Sequence, residues 1–363
     1  MNPSSQTLSA LQELLQQTVK STPSSVLQKV LTDHVSIPKR MREIAGTSQQ
    51  NMREFLDGKH AEDTTFPRIL TTTDIHFMGG SFDRHTKPRP LDDIDLYFPL
   101  DGQGYYYFSN GLRLPYTVLS DNKLESNPLA NPRWSHGTLN GTTISSAKLI
   151  QGFAEVLKKR FPRTEIKPNG QAVSVYMTHG ESDSTDGLTY DIVPCFSLKP
   201  DSSAEPHVYL IPDGHDDWVR TNPRLDKDIA DRLHTANNKT FRGAVRLVKY
   251  WNAQYINNAL VSYYIELAVA RGFEERNSYG NIIPSLSMAT AIGFLHLQQT
   301  LNLGAQPSRI PQAPAIAPGT LSDTHVNKLR VAVGRAVEAG INEEKGNTDA
   351  AMNHWKAIFP NET

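Results

Sequence analysis

Apolar residues recur with two different periods along this chain, and the change of period divides it near residue 216. Residues 5–60 carry apolar side chains at helical spacing, for example Val26, Leu27, Val30 and Leu31. Short strand-like runs follow. After about residue 217 the spacing is helical again, and no further strand is predicted. The predicted helices of this part cover residues 224–235, 238–256, 259–271, 285–300, 322–340 and 348–358.

The middle of the chain favours a mixed sheet with a helix packed on it. Runs with the length and composition of strands occupy residues 75–78, 94–98, 172–177, 188–196 and 208–211, and residues 145–161 predict a helix. A hairpin is predicted over residues 104–119, turning at Asn110-Gly111. The polar residues 120–141 are expected to form a surface loop. We therefore divide the chain into residues 1–216, helices and an α/β core, and residues 217–363, a helical domain.

Composition narrows the possible functions. The 363 residues include 37 basic and 38 acidic side chains, for a net charge of −1. Proteins that grip the many phosphates of a duplex usually carry a strongly basic face, so long nucleic acid is not expected as a substrate or activator. The single cysteine, Cys195, excludes internal disulfides and a cysteine-based zinc site.

The chain shows no membrane or secretion signal. No run approaches the roughly 20 apolar residues that cross a bilayer. Its first residues lack the basic and apolar regions of a signal peptide. We expect a monomeric, cytoplasmic protein without membrane contact.

A glycine-rich turn lies between two of the predicted strands. The segment that begins at Met78 reads MGGSFDRHTKPRPLDDIDL, in which Gly79-Gly80-Ser81 ends the first strand. Glycines let the backbone turn tightly and bring amide groups close to a phosphate, and the Ser81 hydroxyl adds a donor. Taken alone, a Gly-Gly-Ser sequence is most often a plain turn.

Two carboxylates follow on the next strand. Residues two apart on a strand share a face, so Asp93 and Asp95 project together, roughly 6–7 Å apart, while Asp92 points away. Such a pair can share magnesium ions lying about 4 Å from each other. An isolated Asp-x-Asp is usually a solvated strand end. In this order and spacing, however, the turn and the pair together favour a metal and nucleotide site.

A third carboxylate is expected on another strand of the sheet. Asp191 is the only acid in the strand-like run 188–194, LTYDIVP. A charge inside such a run is costly unless it is paired or bound to metal. The alternative, an edge-strand aspartate that faces water, is equally compatible with this run alone.

These motifs resemble a known family. The turn Gly79-Gly80-Ser81 and the residues 93–96 (DIDL) and 190–194 (YDIVP) look like the three signatures of the polymerase-β-like nucleotidyltransferase superfamily. Residues 246–251 (RLVKYW) and 260–267 (LVSYYIEL) resemble helices of oligoadenylate synthetases and their bacterial relatives. In length and layout the chain is similar to the CD-NTases, the cGAS/DncV-like nucleotidyltransferases of bacterial CBASS anti-phage systems.

The resemblance implies a fold and a metal. The fold is α+β, with a polymerase-β-like core (a mixed sheet with flanking helices), a C-terminal helical domain and an active-site cleft between the two lobes. Asp93, Asp95 and Asp191 are implied to be catalytic and to hold two Mg²⁺ ions, or Mn²⁺ in their place.

The resemblance also implies a set of nucleotide-binding residues, which are Gly80, Ser81, Arg246, Lys249, Ser262 and Tyr263. Lys249 and Ser262 match family positions that bind the triphosphate, and Tyr263 matches the aromatic residue that stacks on a base. Tyr264 is a rival for that stacking role. Arg242, Arg246 and Lys249 share one helical face. Such a stripe is ordinarily just solvated.

The implied activity is the joining of ribonucleoside triphosphates (ATP, GTP, UTP or CTP) into a cyclic di- or trinucleotide, with release of pyrophosphate. The product would carry a defence signal to a downstream effector. Two other hypotheses remain open from the sequence. One is a templateless enzyme that tails RNA or makes linear oligoadenylate, and the other is a binding protein that kept the fold without catalysis.

Overall fold

The structure is a computed structural model that describes most of the chain. The described residues are 22–71, 77–108, 116–120, 126–138, 141–177, 187–198 and 208–362. The predicted helical residues before 22 lie outside them, as do the Asn110-Gly111 turn and Ile75 and His76 of the first predicted strand.

The helices follow the predicted apolar spacing. Helix α1 (Pro23–Val30) begins at a proline and is capped by the Thr22 side chain, which accepts a hydrogen bond from the Ser25 amide. It continues directly into a π-helical turn, Leu31–Val35. The other α-helices of the described residues are α2 (Lys39–Glu62), α3 (Gly80–Asp83), α4 (Ser146–Arg160), α5 (Pro223–Ala236), α6 (Phe241–Ile256), α7 (Ser262–Ser278), α8 (Leu286–Asn302), α9 (Asp323–Glu344) and α10 (Thr348–Ile358).

The strands form two sheets. The larger has the order β1-β2-β9-β10-β11, with β8 pairing with β9 and β7 with β8, and the smaller has the order β3-β4-β6-β5. Their bounds are β1 (Phe77–Met78), β2 (Ile94–Pro99), β3 (Tyr106–Phe108), β4 (Thr117–Ser120), β5 (Ser135–Gly137), β6 (Thr142–Ile144), β7 (Glu165–Asn169), β8 (Ala172–Met177), β9 (Leu188–Ser197), β10 (Tyr209–Pro212) and β11 (Trp218–Thr221).

The pairing of β2 with β9 positions the candidate site. These two strands are parallel, and Asp95 lies opposite Asp191 in their register. On the other side of β9 the antiparallel strand β8 places Ser174 opposite Asp191. The expectation that Asp191 lies on another strand of the same sheet is therefore confirmed, and the structure shows that this strand is the neighbour of β2.

The described residues form two large hydrophobic cores, one around the sheets and one among the helices. The sheet core includes Trp218 of β11, although no strand was predicted beyond about residue 217. The helical core includes Leu27 and Val30 of α1, so the first described helix packs against the helices of the second half. The final helices of the chain and the start of the described chain thus share one core.

The expectation of a surface loop over residues 120–141 is wrong in part. Strand β5 lies within it and pairs with β6, and the Trp134 side chain before it is fully buried. Trp134 packs edge-on against Phe66 and donates a hydrogen bond to the Thr65 carbonyl oxygen. The large aromatic side chain of Trp134 anchors the segment, and the polar composition of the surrounding residues conceals this in the sequence.

Among the described helices, none has the length and apolar character needed to cross a membrane.

Candidate active site

Three aspartates converge where β2 and β9 begin. Asp95 and Asp191 face each other across the two parallel strands, and Asp93 lies just before β2 on the same face as Asp95. One carboxylate oxygen from each of the three lies within 4.8 Å of the others. Asp92 is exposed and forms an ion pair with Lys87, at 2.5 Å, as the strand alternation predicted for a residue that points away.

The glycine turn lies directly against these carboxylates. Gly80 has a φ of +68°, and a Cβ atom at this position would lie 1.7 Å from Asp95 Oδ2. Only glycine combines that backbone conformation with so close an approach. The Gly79 amide donates to the Asp95 carbonyl oxygen at 3.1 Å, which fixes the turn to β2. Ser81, which follows Gly80, is buried in the short helix α3.

The electrostatics of the three aspartates favour an incoming cation. Burial, with the nearby charges of Asp93 and Asp191, raises the pKa of Asp95 to about 7. Burial also raises the pKa of Asp191, although Ser174 Oγ donates a hydrogen bond of 2.5 Å to Asp191 Oδ1 and partly offsets this. Among the described residues, Lys87 is the basic group that forms an ion pair with this cluster, at 3.8 Å from Asp93, and the charge of Arg84 acts on Asp95 as well. Three carboxylates thus share a weak counter-charge.

This donor set fits a divalent metal ion. All three side chains offer oxygen, the ligand that Mg²⁺ and Mn²⁺ prefer. Burial and the neighbouring negative charge raise the pKa of Asp95 and of Asp191, and a bound cation would relieve that crowding of charge.

The opposite wall of the cleft comes from the helical half. A cavity of about 320 Å³ is lined on one side by Gly80, Ser81, Asp93 and Asp95 and on the other by the start of α7. The α7 residues that line it include Ser262, Tyr263 and Glu266. The structure therefore brings predicted catalytic and nucleotide-binding residues together in one cleft between the two halves.

Only one of the two rival tyrosines faces this cavity. Tyr263 is partly buried and lines it, and its hydroxyl donates to Asp226. Tyr264 is fully buried, and its hydroxyl donates to the carbonyl oxygens of Thr300 and Gly304 at 2.8 and 2.9 Å. Tyr264 is therefore a packing residue, and Tyr263 is the one of the two that could meet a bound base.

A buried ion cluster that the sequence did not predict forms part of the cavity wall, which both Glu266 and Arg84 line. Glu266 accepts hydrogen bonds from Arg84 Nε and Nη2, at 2.8 and 3.1 Å, and from Lys249 Nζ. Burial alone would raise the pKa of Glu266, but the two cations lower it to about 2. The signal in the sequence was an acid in a helix whose neighbours, Ile265 and Leu267, are apolar.

The three basic residues that share one face of α6 do not line the cavity, although the sequence implied nucleotide binding for two of them. Lys249 is bonded to Glu266 and does not line the cavity. Arg246 donates to Ser36 Oγ at 3.2 Å, and Arg242 pairs with Asp231. Neither of these two lines the cavity, so Arg242, Arg246 and Lys249 lie behind the wall of the cleft.

The fold is similar to that of a protein of known structure. CdnC of E. coli MS115-1, solved with ATP, is similar to this chain with a TM-score of 0.55 over 93% of this chain and 97% of CdnC, at 18% identity. The same protein in its complex with HORMA-deltaN gives a TM-score of 0.57 with the same coverage and identity. CdnC is a CD-NTase, and the predicted polymerase-β-like α+β fold is confirmed.

A comparison of sequences points the same way. The chain is 29% identical over 234 residues to a probable cyclic nucleotide synthase of Bacillus cereus (strain VD146). The match covers 62% of this chain and 65% of that relative, so it spans just under two thirds of the relative's length. No protein-family model matches the chain. The resemblance inferred from the motifs, to CD-NTases, is borne out by these similarities.

Proposed function

We propose that this chain is a nucleotidyltransferase that joins ribonucleoside triphosphates into a cyclic di- or trinucleotide and releases pyrophosphate. The observation that carries the proposal is the convergence of Asp93, Asp95 and Asp191, whose carboxylate oxygens lie within 4.8 Å of one another. Asp93 and Asp95 line a cleft whose other wall presents Ser262 and Tyr263. The similarity to a probable cyclic nucleotide synthase supports the same activity.

Asp93, Asp95 and Asp191 would hold divalent cations, Mg²⁺ or Mn²⁺, as the donor set favours. When bound, such ions neutralise charge on a triphosphate and lower the pKa of a ribose hydroxyl. Burial and the charges of Asp93 and Asp191 raise the pKa of Asp95 to about 7, and a bound cation would favour its ionised form.

The remaining chemistry falls to side chains that bind and orient. Gly80 and Ser81 lie against Asp95 and line the cavity, where the serine hydroxyl can donate to a phosphate. Asp191 would orient the attacking ribose hydroxyl and accept its proton, and Ser174, which donates a hydrogen bond to Asp191 Oδ1, would hold that carboxylate in place. Ser262, on the facing wall, would donate to the same triphosphate.

Tyr263 would hold a nucleobase by stacking, since its ring lines the cavity. Arg246 and Lys249 also belong to the proposed nucleotide-binding residues, but their contact with a phosphate requires a rearrangement. To touch a phosphate, Lys249 must leave Glu266 and Arg246 must leave Ser36. If Lys249 and Arg246 keep these partners, they act only through the positive charge that they place behind the cavity wall.

The proposed setting is cytoplasmic anti-phage signalling, in which the cyclic product reaches a downstream effector. CdnC has been solved in a complex with HORMA-deltaN, and a partner of that kind is the proposed regulator of this chain. ATP, present in the other CdnC structure, is the first substrate to test.

The test is to incubate the protein with all four ribonucleoside triphosphates and Mg²⁺ or Mn²⁺, digest with phosphatase, and analyse the products by mass spectrometry. A phosphatase-resistant cyclic nucleotide is the expected product. An RNA ladder or linear 2′–5′ chains would instead support a templateless polymerase. If the isolated protein is inactive, the assay is repeated with a HORMA partner, and inactivity there as well contradicts the proposal.

A further inference from the structure

The ring of Tyr263 is held from two directions inside the cleft. Its hydroxyl lies 2.9 Å from both carboxylate oxygens of Asp226. The guanidinium of Arg84 lies over the ring, with its Cζ atom 5.7 Å from the ring centroid. One edge and one face of the aromatic ring are thus occupied by the protein, and the ring also borders the cavity.

Both groups that hold the ring are themselves fixed. Asp226 lies in the first turn of α5, which is capped by the Asn222 side chain and begins at Pro223. Arg84 is buried and hydrogen-bonded through two of its nitrogens to Glu266. Rigid supports of this kind leave Tyr263 with little freedom to rotate before a ligand arrives.

The arrangement accounts for a half-buried acid, Asp226, that no metal role uses. Asp226 lies on the helical side of the cleft, away from the group of three aspartates that could share a metal ion. Both of its oxygens are directed to one phenol hydroxyl. A tyrosine that only filled space would not need a two-oxygen acceptor at a helix start.

We propose that Asp226 is a positioning residue for nucleotide binding, which fixes the Tyr263 ring in the orientation that stacks on a nucleobase. The proposal rests on the proposed function, because it assigns the base end of that same cleft. Holding the ring in advance removes the entropy loss that ordering it would add to binding. Stacking accepts any base, so the effect of Asp226 is the same for purines and pyrimidines.

The experiment is a double-mutant cycle on Tyr263→Phe and Asp226→Ala. Affinity for non-hydrolysable ATP and UTP analogues is measured by calorimetry with Mg²⁺, and KM and kcat are measured on the natural nucleotides. Each single variant is expected to weaken affinity and raise KM by about 2- to 10-fold with kcat nearly unchanged. The double variant should be no weaker than the weaker single variant.

Two further variants guard the interpretation. Asp226→Asn keeps an acceptor oxygen and should recover part of the affinity. Tyr264→Phe removes the neighbouring phenol hydroxyl, which bonds to Thr300 and Gly304 outside the cavity, and should leave affinity and KM unchanged. If Asp226→Ala does not fold, Asp226→Asn with Tyr263→Phe forms the cycle.

Losses that multiply in the double variant, or that differ between ATP and UTP, would overturn the proposal, because Asp226 would then touch the base itself. A loss confined to kcat would overturn it too. If the wild-type protein binds no nucleotide, the proposed function fails and this proposal with it. If instead the wild-type protein binds nucleotide normally and the two substitutions act independently, only the positioning role of Asp226 is contradicted.

Discussion

The two walls of the cleft hold carboxylates in opposite states of charge balance. On the sheet wall, Asp93, Asp95 and Asp191 crowd together with one lysine nearby, and the pKa of Asp95 rises to about 7. On the helical wall, Glu266 lies between Arg84 and Lys249, and its pKa falls to about 2. The three half-buried aspartates have one lysine nearby, whereas the buried Glu266 has two cations for its single negative charge.

This difference separates a site that receives a ligand from a site that supports one. A carboxylate with two cations is already neutralised and contributes to the structure, whereas a group of carboxylates without counter-charge is destabilising until a cation binds. An acid in a buried place is therefore not informative by itself. The balance of charge around it indicates which role it has.

The largest effect is expected when the negative charge of the sheet-wall aspartates is removed. Asp95→Asn and Asp191→Asn should each lower product formation on the order of a thousandfold or more, because the donor set for the metal is broken. Both variants should stay folded by circular dichroism, and the metal-free protein should melt no lower. Asp92→Asn is the matched control, since this exposed neighbour points away. Full turnover by Asp191→Asn would contradict the site.

Neutralising the helical wall should act on stability. Glu266→Gln leaves Arg84 and Lys249 without their shared anion, and the free energy of unfolding at pH 7 should fall by about 3 kcal/mol. Because the pKa of Glu266 is lowered from 4.5 to about 2, its stabilisation is present above pH 4.5 and is lost as the pH falls towards 2. Urea denaturation at pH 7 and pH 3 measures this.

The difference between wild type and Glu266→Gln should therefore shrink in acid. Glu43→Gln, which removes an exposed ion pair with Lys39, should change stability by about 0.5 kcal/mol or less at both pH values. An equal loss at pH 7 and pH 3 for Glu266→Gln would show that Glu266 carries no charge-based role.

Gly80→Ala tests how closely the glycine turn is matched to the sheet wall. The added Cβ would collide with Asp95 Oδ2, so activity should fall by about 10- to 100-fold as the carboxylate is displaced. Gly170→Ala is the control, because Gly170 has a similar φ of +57° but no atom within 4 Å of the added Cβ. It should lose stability of about 1–2 kcal/mol through its backbone and no activity. Equal activity of the two variants would refute the close approach.

The smallest effect is expected from the support behind Asp191. Ser174→Ala removes the 2.5 Å hydrogen bond to Asp191 Oδ1, and the Mg²⁺ concentration for half-maximal activity should rise by about tenfold. Ser146→Ala, at a buried hydroxyl without a hydrogen-bond partner among the described residues, should behave as wild type in the same titration. An unchanged Mg²⁺ response for Ser174→Ala would mean that Asp191 is oriented by the strands alone.

The sheet wall was predictable because its chemistry is local. Strand alternation alone separates Asp92 from Asp93 and Asp95, and a lone acid in an apolar run singles out Asp191. Only the neighbourhood of β2 and β9 was missing, and the structure supplies it.

The helical wall was not predictable because its contacts are distant in the chain. Glu266 meets Arg84, 182 residues away, and nothing near either residue announces the pair. For the same reason the partners of Arg242, Arg246 and Lys249 could not be predicted, because Asp231, Ser36 and Glu266 lie on other elements. Short strands such as β11 were missed because four residues give too little periodicity.

The parallel pairing of β2 with β9 also has a consequence for how the protein folds. Asp95 and Asp191 face each other, but along the chain the smaller sheet (β3 to β6), helix α4 and strands β7 and β8 lie between them. Parallel strands joined by so long a crossover form late, since the chain must close a large loop before any pairing rewards it. Capture of a divalent ion by the three aspartates would therefore occur only once the whole core has assembled. A luminescent lanthanide bound at this place would report the last stage of folding.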